Sequence, residues 1–276
     1  MSADADPDAD HDADHDADPD ADHDADAGAI SSRRDAAVEV AAERLGCLGE
    51  VVQRDVALGL MTTYRVGGTA ALFVRITERS QLHAVADAAK ASGMPVLVVG
   101  RGSNLLVADA GYPGIAVGLG ELDSAIDMDV SAATVVASAN VALPVLARKT
   151  AAAGLGGFEW AVGVPGSIGG AVRMNAGGHG SDMSASLVEV VVFDLLAGVE
   201  RTLTVDELGL EFRSSSLAPH HLVLEATLQL HHGDADESVQ QIGDIVAWRR
   251  ANQPGGQNAG SVFVNPVPGH VTAGEL

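Results

Sequence analysis

Residues 163–177 read Gly-Val-Pro-Gly-Ser-Ile-Gly-Gly-Ala-Val-Arg-Met-Asn-Ala-Gly. Five glycines and a proline interrupt an otherwise apolar segment, and one cation, Arg173, and one amide, Asn175, stand near its end. Glycines at this density let the backbone approach a ligand closely, and unpaired amides along a bent backbone suit a pyrophosphate. The segment therefore predicts a binding site for a phosphate-carrying ligand.

A second glycine loop, Gly100-Arg101-Gly102-Ser103-Asn104, follows the short apolar segment 95–99. It is not a Walker A loop, because no Gly-Lys-Ser/Thr ending follows the glycines. It is not the strand-to-helix dinucleotide fingerprint either, because the following residues 105–108 read as a strand. Two phosphate-binding loops in one domain indicate a dinucleotide cofactor held in some other way.

The net charge of −22 is distributed unevenly along the 276 residues. Twelve aspartates in the Asp/Ala/His repeat of residues 1–26 contribute −12, which leaves −10 for the rest. We expect residues 1–28 to be a disordered acidic tail, because like charges repel and nothing there can be buried. No basic face is visible, so a nucleic-acid partner is not expected.

Cysteine content and hydropathy limit the location of the chain. Cys47 is the single cysteine, which excludes an intramolecular disulfide and fits a reducing cytoplasm. No segment approaches about 18 uninterrupted apolar residues, so neither a membrane span nor a membrane partner is expected. We predict a cytoplasmic protein without a metal site.

Apolar periodicity predicts an α+β architecture with mixed sheets. Helices are expected over 31–48, 80–92 and 144–153, and strands over 95–99, 105–108, 115–118 and 134–139. A hairpin is expected around Ala197-Gly198, and residues 222–230 alternate as a strand. Residues 231–237 read as a polar linker. Val239, Ile242, Ile245 and Val246 then form one apolar face of a last helix, which we expect to be exposed for want of a covering sheet.

Five motifs in order resemble the UDP-N-acetylenolpyruvoylglucosamine reductase family, in its type II form. They are Thr-Thr-Tyr-Arg-Val-Gly-Gly at 62–68, Val-Gly-Arg-Gly-Ser-Asn-Leu-Leu at 99–106, the segment 163–177, Leu-Glu-Phe-Arg-Ser-Ser at 210–215, and Gly-Gln-Asn-Ala-Gly-Ser-Val-Phe-Val-Asn-Pro at 256–266. The resemblance covers roughly residues 45–270. It implies a two-part FAD-binding domain of the vanillyl-alcohol-oxidase (PCMH) type over 29–232, followed from 233 to 276 by an incomplete substrate-binding domain.

The resemblance also implies a reaction. NADPH reduces noncovalently bound FAD, and the flavin passes a hydride to the enolpyruvyl group of a UDP-sugar, giving UDP-N-acetylmuramate for peptidoglycan. Arg213 matches the family's catalytic arginine, which stabilises the enolate-like charge, and Ser261 matches its serine proton donor. A cation beside a carboxylate suits that charge because arginine is always protonated and forms two hydrogen bonds.

Further residues follow from the resemblance. Arg173 and Asn265 are expected to bind substrate, and it stays open whether His179 approaches the cofactor. The residues expected to bind FAD are Tyr64, Arg65, Gly67, Gly100, Gly102, Ser103, Asn104, Leu105, Pro165, Gly166, Ser167, Gly169, Gly170, Ala171 and Asn175. A monomer is expected for the full-length protein.

Three departures from the family pattern bear on activity. Phe212 replaces the tyrosine before the catalytic arginine, Val264 replaces a lysine, and the family's C-terminal glutamate has no counterpart. We therefore expect a truncated member with impaired activity. An FAD-binding module without catalysis, and another oxidase of the same flavin superfamily, remain as alternatives.

Overall fold

The computed structural model describes residues 19–120, 122, 125–253 and 256. The chain divides into two compact units, residues 1–36 and 37–276. The helices are α1 Pro19–Leu45, α2 Gln81–Ser92, α3 Leu143–Ala152, α4 Ile168–Arg173 and α5 Ala235–Asn252. The strands are β1 Val52–Ala57, β2 Thr69–Ile76, β3 Val96–Val99, β4 Tyr112–Leu119, β5 Ile126–Asp129, β6 Thr134–Ser138, β7 Leu155–Gly156, β8 Gly177–Gly178, β9 Ser181–Asp182, β10 Leu187–Asp194, β11 Val199–Thr204, β12 His221–Gln229 and β13 His231–His232.

The first helix starts earlier than composition predicts. α1 begins at Pro19, so the disorder expected over residues 1–28 does not extend to residues 19–28, which are helical. Alanine is the strongest helix former, and proline is favoured in a first turn. Residues 1–18 lie outside the described residues. Among the described residues, no helix is both long and apolar enough to cross a lipid bilayer.

A four-stranded sheet in the order β1-β2-β4-β3 forms one half of the second unit. β2, β4 and β3 are parallel, and α2 makes the crossover between β2 and β3. The predicted apolar face of α2, Leu82 with Val85, Ala86 and Ala89, is buried, and Gly93 ends the helix at φ +69°. The antiparallel edge strand β1 was not predicted, because residues 52–57 carry charged side chains among the apolar ones.

A five-stranded antiparallel sheet in the order β11-β10-β12-β6-β5 forms the other half. The predicted hairpin at Ala197-Gly198 joins β10 and β11, with Gly198 at φ +70°. The predicted strand 222–230 corresponds to β12. One face of this sheet packs with α3 and α4 into the largest apolar cluster. The two halves meet where Val98 N of β3 donates to Pro219 O, just before β12, at 3.3 Å.

Two local predictions are wrong. Residues 105–108 form no strand: Leu106 is 70% exposed, and the segment is an extended loop. Residues 231–237 are not a linker, since β13 pairs with β7 and α5 already begins at Ala235. The side chain of Asp234 accepts the amides of Asp236 and Glu237 at 2.8 and 3.1 Å, which caps this helix.

The expected exposed face of the last helix is also corrected. Ile242 and Ile245 of α5 are buried in the same apolar cluster as the five-stranded sheet, while Val239 is 51% exposed. Ser238 Oγ donates to the buried Glu159 carboxylate at 2.7 Å, which ties the start of α5 to this core. The predicted apolar face of the helix is therefore largely packed against this core, through Ile242, Ile245 and Val246.

Candidate functional site

Two cavities adjoin where the glycine loops meet. The first, of about 460 Å³, is called the arginine cavity because Arg213 lines this cavity and does not line the second one. The second, of about 530 Å³, is called the strand-edge cavity because residues 218–223 and 97–99 line it. Residues lining both are Val98, Gly100, Arg101, Asn104, Leu105, Ser167, Gly170, Arg173 and Met174. Each volume falls in the range of small-molecule sites.

The loop 100–104 is fixed by backbone contacts. Gly102 has φ +66°, its carbonyl accepts Thr63 N at 3.0 Å, and a Cβ there would lie 2.1 Å from Met61 O. Only glycine fits that position. Gly100 has room, because a Cβ there would meet only Ser167 Oγ at 3.4 Å. The backbone at Gly100 is thus open toward the cavities while Gly102 anchors the loop.

The second glycine segment touches the first directly. Ser103 Oγ donates to Pro165 O at 3.1 Å, and Gly166 follows with φ +138°. Ser167, 4% exposed, makes no side-chain hydrogen bond to the described residues, and its hydroxyl borders both cavities. A buried hydroxyl without a protein partner fits a bound polar ligand. The two glycine loops thus contact each other and line the same cavities.

The lining carries positive charge only. Arg101, Arg173 and Arg213 line the arginine cavity, and no aspartate or glutamate among the described residues lines either cavity. The chain as a whole is strongly acidic, with a net charge of −22. A cationic cleft in an acidic protein favours anionic ligands and concentrates them locally.

Arg213 is oriented by carbonyl groups. Its Nη2 donates to Gly177 O at 2.7 Å and its Nη1 to Asn175 O at 3.3 Å. It stands at the tip of the tight loop 211–214, closed by two hydrogen bonds between Glu211 and Ser214. Its guanidinium also lies 5.2 Å from the ring of Phe212, which is 88% exposed. Because these partners are neutral, the charge of Arg213 remains available to an anion.

Several residues with strained backbone conformations lie beside Arg213. Among the described residues six non-glycine residues have positive φ, and three of them are Asn175 at +37°, His179 at +52° and Arg213 at +57°. Such conformations cost about 1–3 kcal/mol each and concentrate at functional sites. The β8–β9 hairpin that carries His179 reaches α5, where the His179 ring meets Trp248 edge-on at 5.2 Å. The question of whether His179 approaches the cofactor was left open by the sequence; in the structure it lines neither cavity.

Most predicted cofactor residues line the cavities, and four do not. Those that line at least one are Gly100, Gly102, Ser103, Asn104, Leu105, Pro165, Gly166, Ser167, Gly169, Gly170 and Ala171. Tyr64, Arg65 and Gly67 instead lie in a segment that supports the loop 100–108, where a Cβ on Gly67 would lie 2.2 Å from Val107 O. These three residues line neither cavity.

Asn175 is also placed differently from the prediction. Its side chain is buried and accepts Ser184 N at 3.1 Å, while its amide donates to Glu211 O at 3.0 Å. These bonds join the β8–β9 region to the loop that carries Arg213. Both polar groups of the Asn175 side chain are therefore hydrogen-bonded within the chain, and Asn175 lines neither cavity.

The two remaining predicted residues, Ser261 and Asn265, lie outside the described residues. Sequence reasoning missed other lining residues: Arg101, Asn140, His221 and the segment 218–223. Arg101 stands between two glycines already singled out, so its position was a usable signal. The segment 218–223 gave no signal, because it reaches the site through contacts with residues distant in the sequence, such as the hydrogen bond from Val98 N to Pro219 O.

His221 belongs to a small polar cluster at the wall of the strand-edge cavity. Its Nδ1 accepts a hydrogen bond from Ala218 N at 3.1 Å, and its Nε2 lies 3.7 Å from Asp194 Oδ2. The neighbouring His220 places its Nε2 3.8 Å from the other oxygen of that carboxylate. Burial and the neighbouring His220 lower the pKa of His221 below 6.5, against the opposing effect of Asp194. Because Nδ1 accepts a hydrogen bond from the backbone amide of Ala218, the proton of the neutral imidazole lies on Nε2. A protonated Nε2 argues against a metal ligand at that atom.

Protonation of His221 is expected to destabilise the fold. Because the pKa is lower in the folded chain, the unfolded chain binds the proton first, and stability falls as pH decreases from about 7 through the ordinary histidine value near 6.5. His221→Asn keeps an acceptor for Ala218 N and cannot titrate. We expect a shallower slope of the unfolding free energy between about pH 7 and 5 in urea titrations. His232→Asn, an exposed control, should keep the wild-type slope; equal slopes in all three proteins would contradict this role.

Comparisons with known families and relatives agree with a cofactor site at this position. Residues 70–198 match the family described as "FAD binding domain". The chain is 37% identical over 220 residues to UDP-N-acetylenolpyruvoylglucosamine reductase of Synechococcus sp. (strain RCC307), covering 79% of this chain and 72% of the relative. It is 38% identical over 219 residues to the enzyme of the same name from Bacillus subtilis (strain 168), covering 78% and 70%.

Comparison with solved structures gives the same family. The crystal structure of UDP-N-acetylenolpyruvylglucosamine reductase (MurB) from Thermus caldophilus aligns with a TM-score of 0.66 at 33% identity, covering 78% of this chain and 75% of that one. A Physcomitrella patens BBE-like protein, at 19% identity and TM-score 0.53, shares the fold. The fold and the paired glycine loops define an α+β FAD-binding domain of the PCMH type. Within that class, the chain belongs to the UDP-N-acetylenolpyruvoylglucosamine reductase family.

Proposed function

We propose that this chain binds FAD noncovalently and, with NADPH as reductant, reduces the enolpyruvyl ether of UDP-N-acetylglucosamine to UDP-N-acetylmuramate. The observation that carries the proposal is the cleft between the two glycine loops, which is lined by three arginines and by no described carboxylate. A dinucleotide, a UDP-sugar and an enolpyruvyl carboxylate are all anionic, so one cationic cleft suits all of them.

The residues present fit FAD. The open backbone at Gly100 and Gly170 leaves room for a diphosphate, and the unpartnered Ser167 hydroxyl adds a donor beside it. The two adjoining cavities offer one space for the adenosine half of FAD and one for the flavin half. Cys47 does not line either cavity, and the ring nitrogens of His221 face Ala218 and Asp194, which supports noncovalent binding. When bound, FAD accepts a hydride from the nicotinamide and delivers one to the enolpyruvyl carbon C3.

The chain's own residues supply the rest of the chemistry. Arg213, oriented by the carbonyls of Asn175 and Gly177, would hold the substrate carboxylate and stabilise the negative charge that develops on C2 and that carboxylate. Arg173, in both cavities, would bind an anionic group of the substrate. Hydride addition at C3 leaves C2 to be protonated, which completes saturation of the double bond.

We assign that proton transfer to Ser261 and a substrate contact to Asn265, on the family pattern. The contact between Trp248 and His179 supports the assignment of Ser261, because it places the later part of α5 beside the hairpin that holds Arg213. Seven residues lie between Gln253 and Ser261.

A half-reaction tests the function. The FAD-loaded chain is reduced anaerobically with NADPH, mixed with UDP-N-acetylglucosamine enolpyruvate, and followed by flavin absorbance. We expect the oxidised spectrum to return with formation of UDP-N-acetylmuramate. UDP-N-acetylglucosamine, which lacks the double bond, is the control and should leave the flavin reduced. A flavin that stays reduced with both compounds would support the alternative of an FAD-binding module without catalysis.

A further inference from the structure

Asn175 contacts the loop of Arg213 at two points. Its backbone carbonyl accepts a hydrogen bond from Arg213 Nη1 at 3.3 Å, and its side-chain amide donates to Glu211 O at 3.0 Å. Glu211 O also accepts a hydrogen bond from Ser214 N at 3.1 Å, which closes the loop 211–214. Asn175 therefore bonds both the base of this loop and the guanidinium group of the arginine at its tip.

The same side chain is attached to the β8–β9 region. Its Oδ1 accepts a hydrogen bond from Ser184 N at 3.1 Å, and its amide also donates to Asp182 Oδ2 at 3.4 Å. β8 carries Gly177, whose carbonyl accepts a hydrogen bond from Arg213 Nη2 at 2.7 Å. One buried side chain, 3% exposed, thus joins the Arg213 loop to the hairpin whose carbonyl orients the same arginine.

The backbone is strained at both ends of this arrangement. Asn175 has φ +37° and Arg213 has φ +57°, both in the left-handed region. Such conformations persist only where the surrounding contacts enforce them. Without the hydrogen bond to Glu211 O, we expect the loop 211–214 to relax and the guanidinium to move relative to the arginine cavity.

We propose that Asn175 is a positioning residue for the reduction of the enolpyruvyl group. Its side chain fixes the guanidinium of Arg213 at the place where the enolate charge develops. This inference rests on the proposed function, since it assumes that Arg213 stabilises that charge. Misplacing a catalytic group by about 1 Å costs about 100-fold in rate, so Asn175 affects the reaction without touching the substrate.

A direct contact of Asn175 with a ligand is less well supported. Its neighbours Met174 and Ala176 line the arginine cavity, but Asn175 lines neither cavity. Both hydrogens of its amide and its oxygen have protein partners. A role in stability alone would lower the free energy of unfolding but would leave the half-reactions of the folded chain unchanged.

The variant Asn175→Gly tests the inference, because it removes the side-chain bonds and keeps the carbonyl and a positive φ that glycine adopts without strain. We expect reoxidation of reduced flavin by saturating enolpyruvyl substrate to slow about 10- to 100-fold. FAD affinity and flavin reduction by NADPH should stay near wild-type values, because Asn175 lines neither cavity and no enolate forms in that half-reaction. The control Asp55→Gly, at an exposed position of β1 with φ +52°, should match the wild type.

A double-mutant cycle shows whether Asn175 acts through Arg213. In the Arg213→Ala background, Asn175→Gly should slow reoxidation no further, because the group that it positions is gone. A second variant, Asn175→Asp, keeps the acceptor for Ser184 N and replaces the amide that donates to Glu211 O, so it should also slow reoxidation. Equal effects of Asn175→Gly with and without Arg213 would overturn the inference.

The remaining outcomes separate this inference from the proposed function. A wild-type chain whose reduced flavin is not reoxidised by the substrate overturns both. Wild-type reoxidation rates in Asn175→Gly and Asn175→Asp overturn only the role of Asn175. Equal slowing of both half-reactions does the same, since it indicates a general disturbance of the site. If urea titrations show that neither variant folds, Asn175 serves stability and the inference is likewise overturned.

Discussion

Arg213→Ala is expected to slow the reoxidation of reduced flavin by the enolpyruvyl substrate by at least about 10²–10³-fold, the cost of removing one donor that stabilises an oxyanion. The loss of a full cation adds to that cost. Reduction of FAD by NADPH should change little, because no enolate forms in that half-reaction. The two half-reactions are measured separately by stopped-flow absorbance at the flavin band.

Two further variants sharpen the test of Arg213. Arg213→Lys keeps the charge but loses the planar pair of donors that now bond Asn175 O and Gly177 O, so it should fall between the wild type and the alanine variant. Arg148→Ala, on the exposed side of α3, should match the wild type. Equal slowing of both half-reactions by Arg213→Ala would contradict a role confined to the enolate.

Gly102→Ala is expected to abolish FAD uptake and to lower the free energy of unfolding by about 3 kcal/mol or more. The added Cβ would lie 2.1 Å from Met61 O and 2.8 Å from Thr62 Cα, both backbone atoms, and the φ of +66° is unfavourable for alanine. The loop 100–104 must then move away from its support, which displaces the cavity wall. Urea unfolding and a flavin fluorescence titration measure the two effects.

The variant Gly93→Ala separates the backbone strain of a positive φ from the steric clash of the added Cβ. Gly93 has nearly the same φ, +69°, at the end of α2, but nothing lies within 4 Å of its added Cβ. It should cost only the strain of about 1 kcal/mol and leave FAD binding unchanged. If Gly102→Ala behaved like Gly93→Ala, the loop would not depend on its contact with Met61.

Local patterns in the sequence predicted the elements that bury one face. The apolar residues of α2 and the alternation of β12 stand out because each element contacts a core along its whole length. The glycines at 100–102 and 163–177 predicted their shared cleft for a similar local reason, since close backbone approach needs glycine whatever lies opposite. The family resemblance added the proposal that Arg213 carries the chemistry.

Other features depend on contacts between distant residues and left no local pattern. Leu105 and Leu106 look like part of a strand, yet Leu105 is apolar because it lines the cavities and Leu106 is exposed. Asn175 looked like a ligand residue, and only its bonds to Glu211 and Ser184 identify it as a support for the Arg213 loop. The burial of Ile242 and Ile245 depends on the same kind of distant packing.

The central claim is that the two glycine loops enclose a noncovalent FAD. It is tested most directly by the absorption spectrum of the purified chain after incubation with FAD and removal of free flavin. We expect a yellow protein with one flavin per chain, released intact by acid precipitation, and no flavin on the Gly102→Ala chain. A folded wild-type chain that stays colourless, or one whose flavin remains attached after acid treatment, would contradict it.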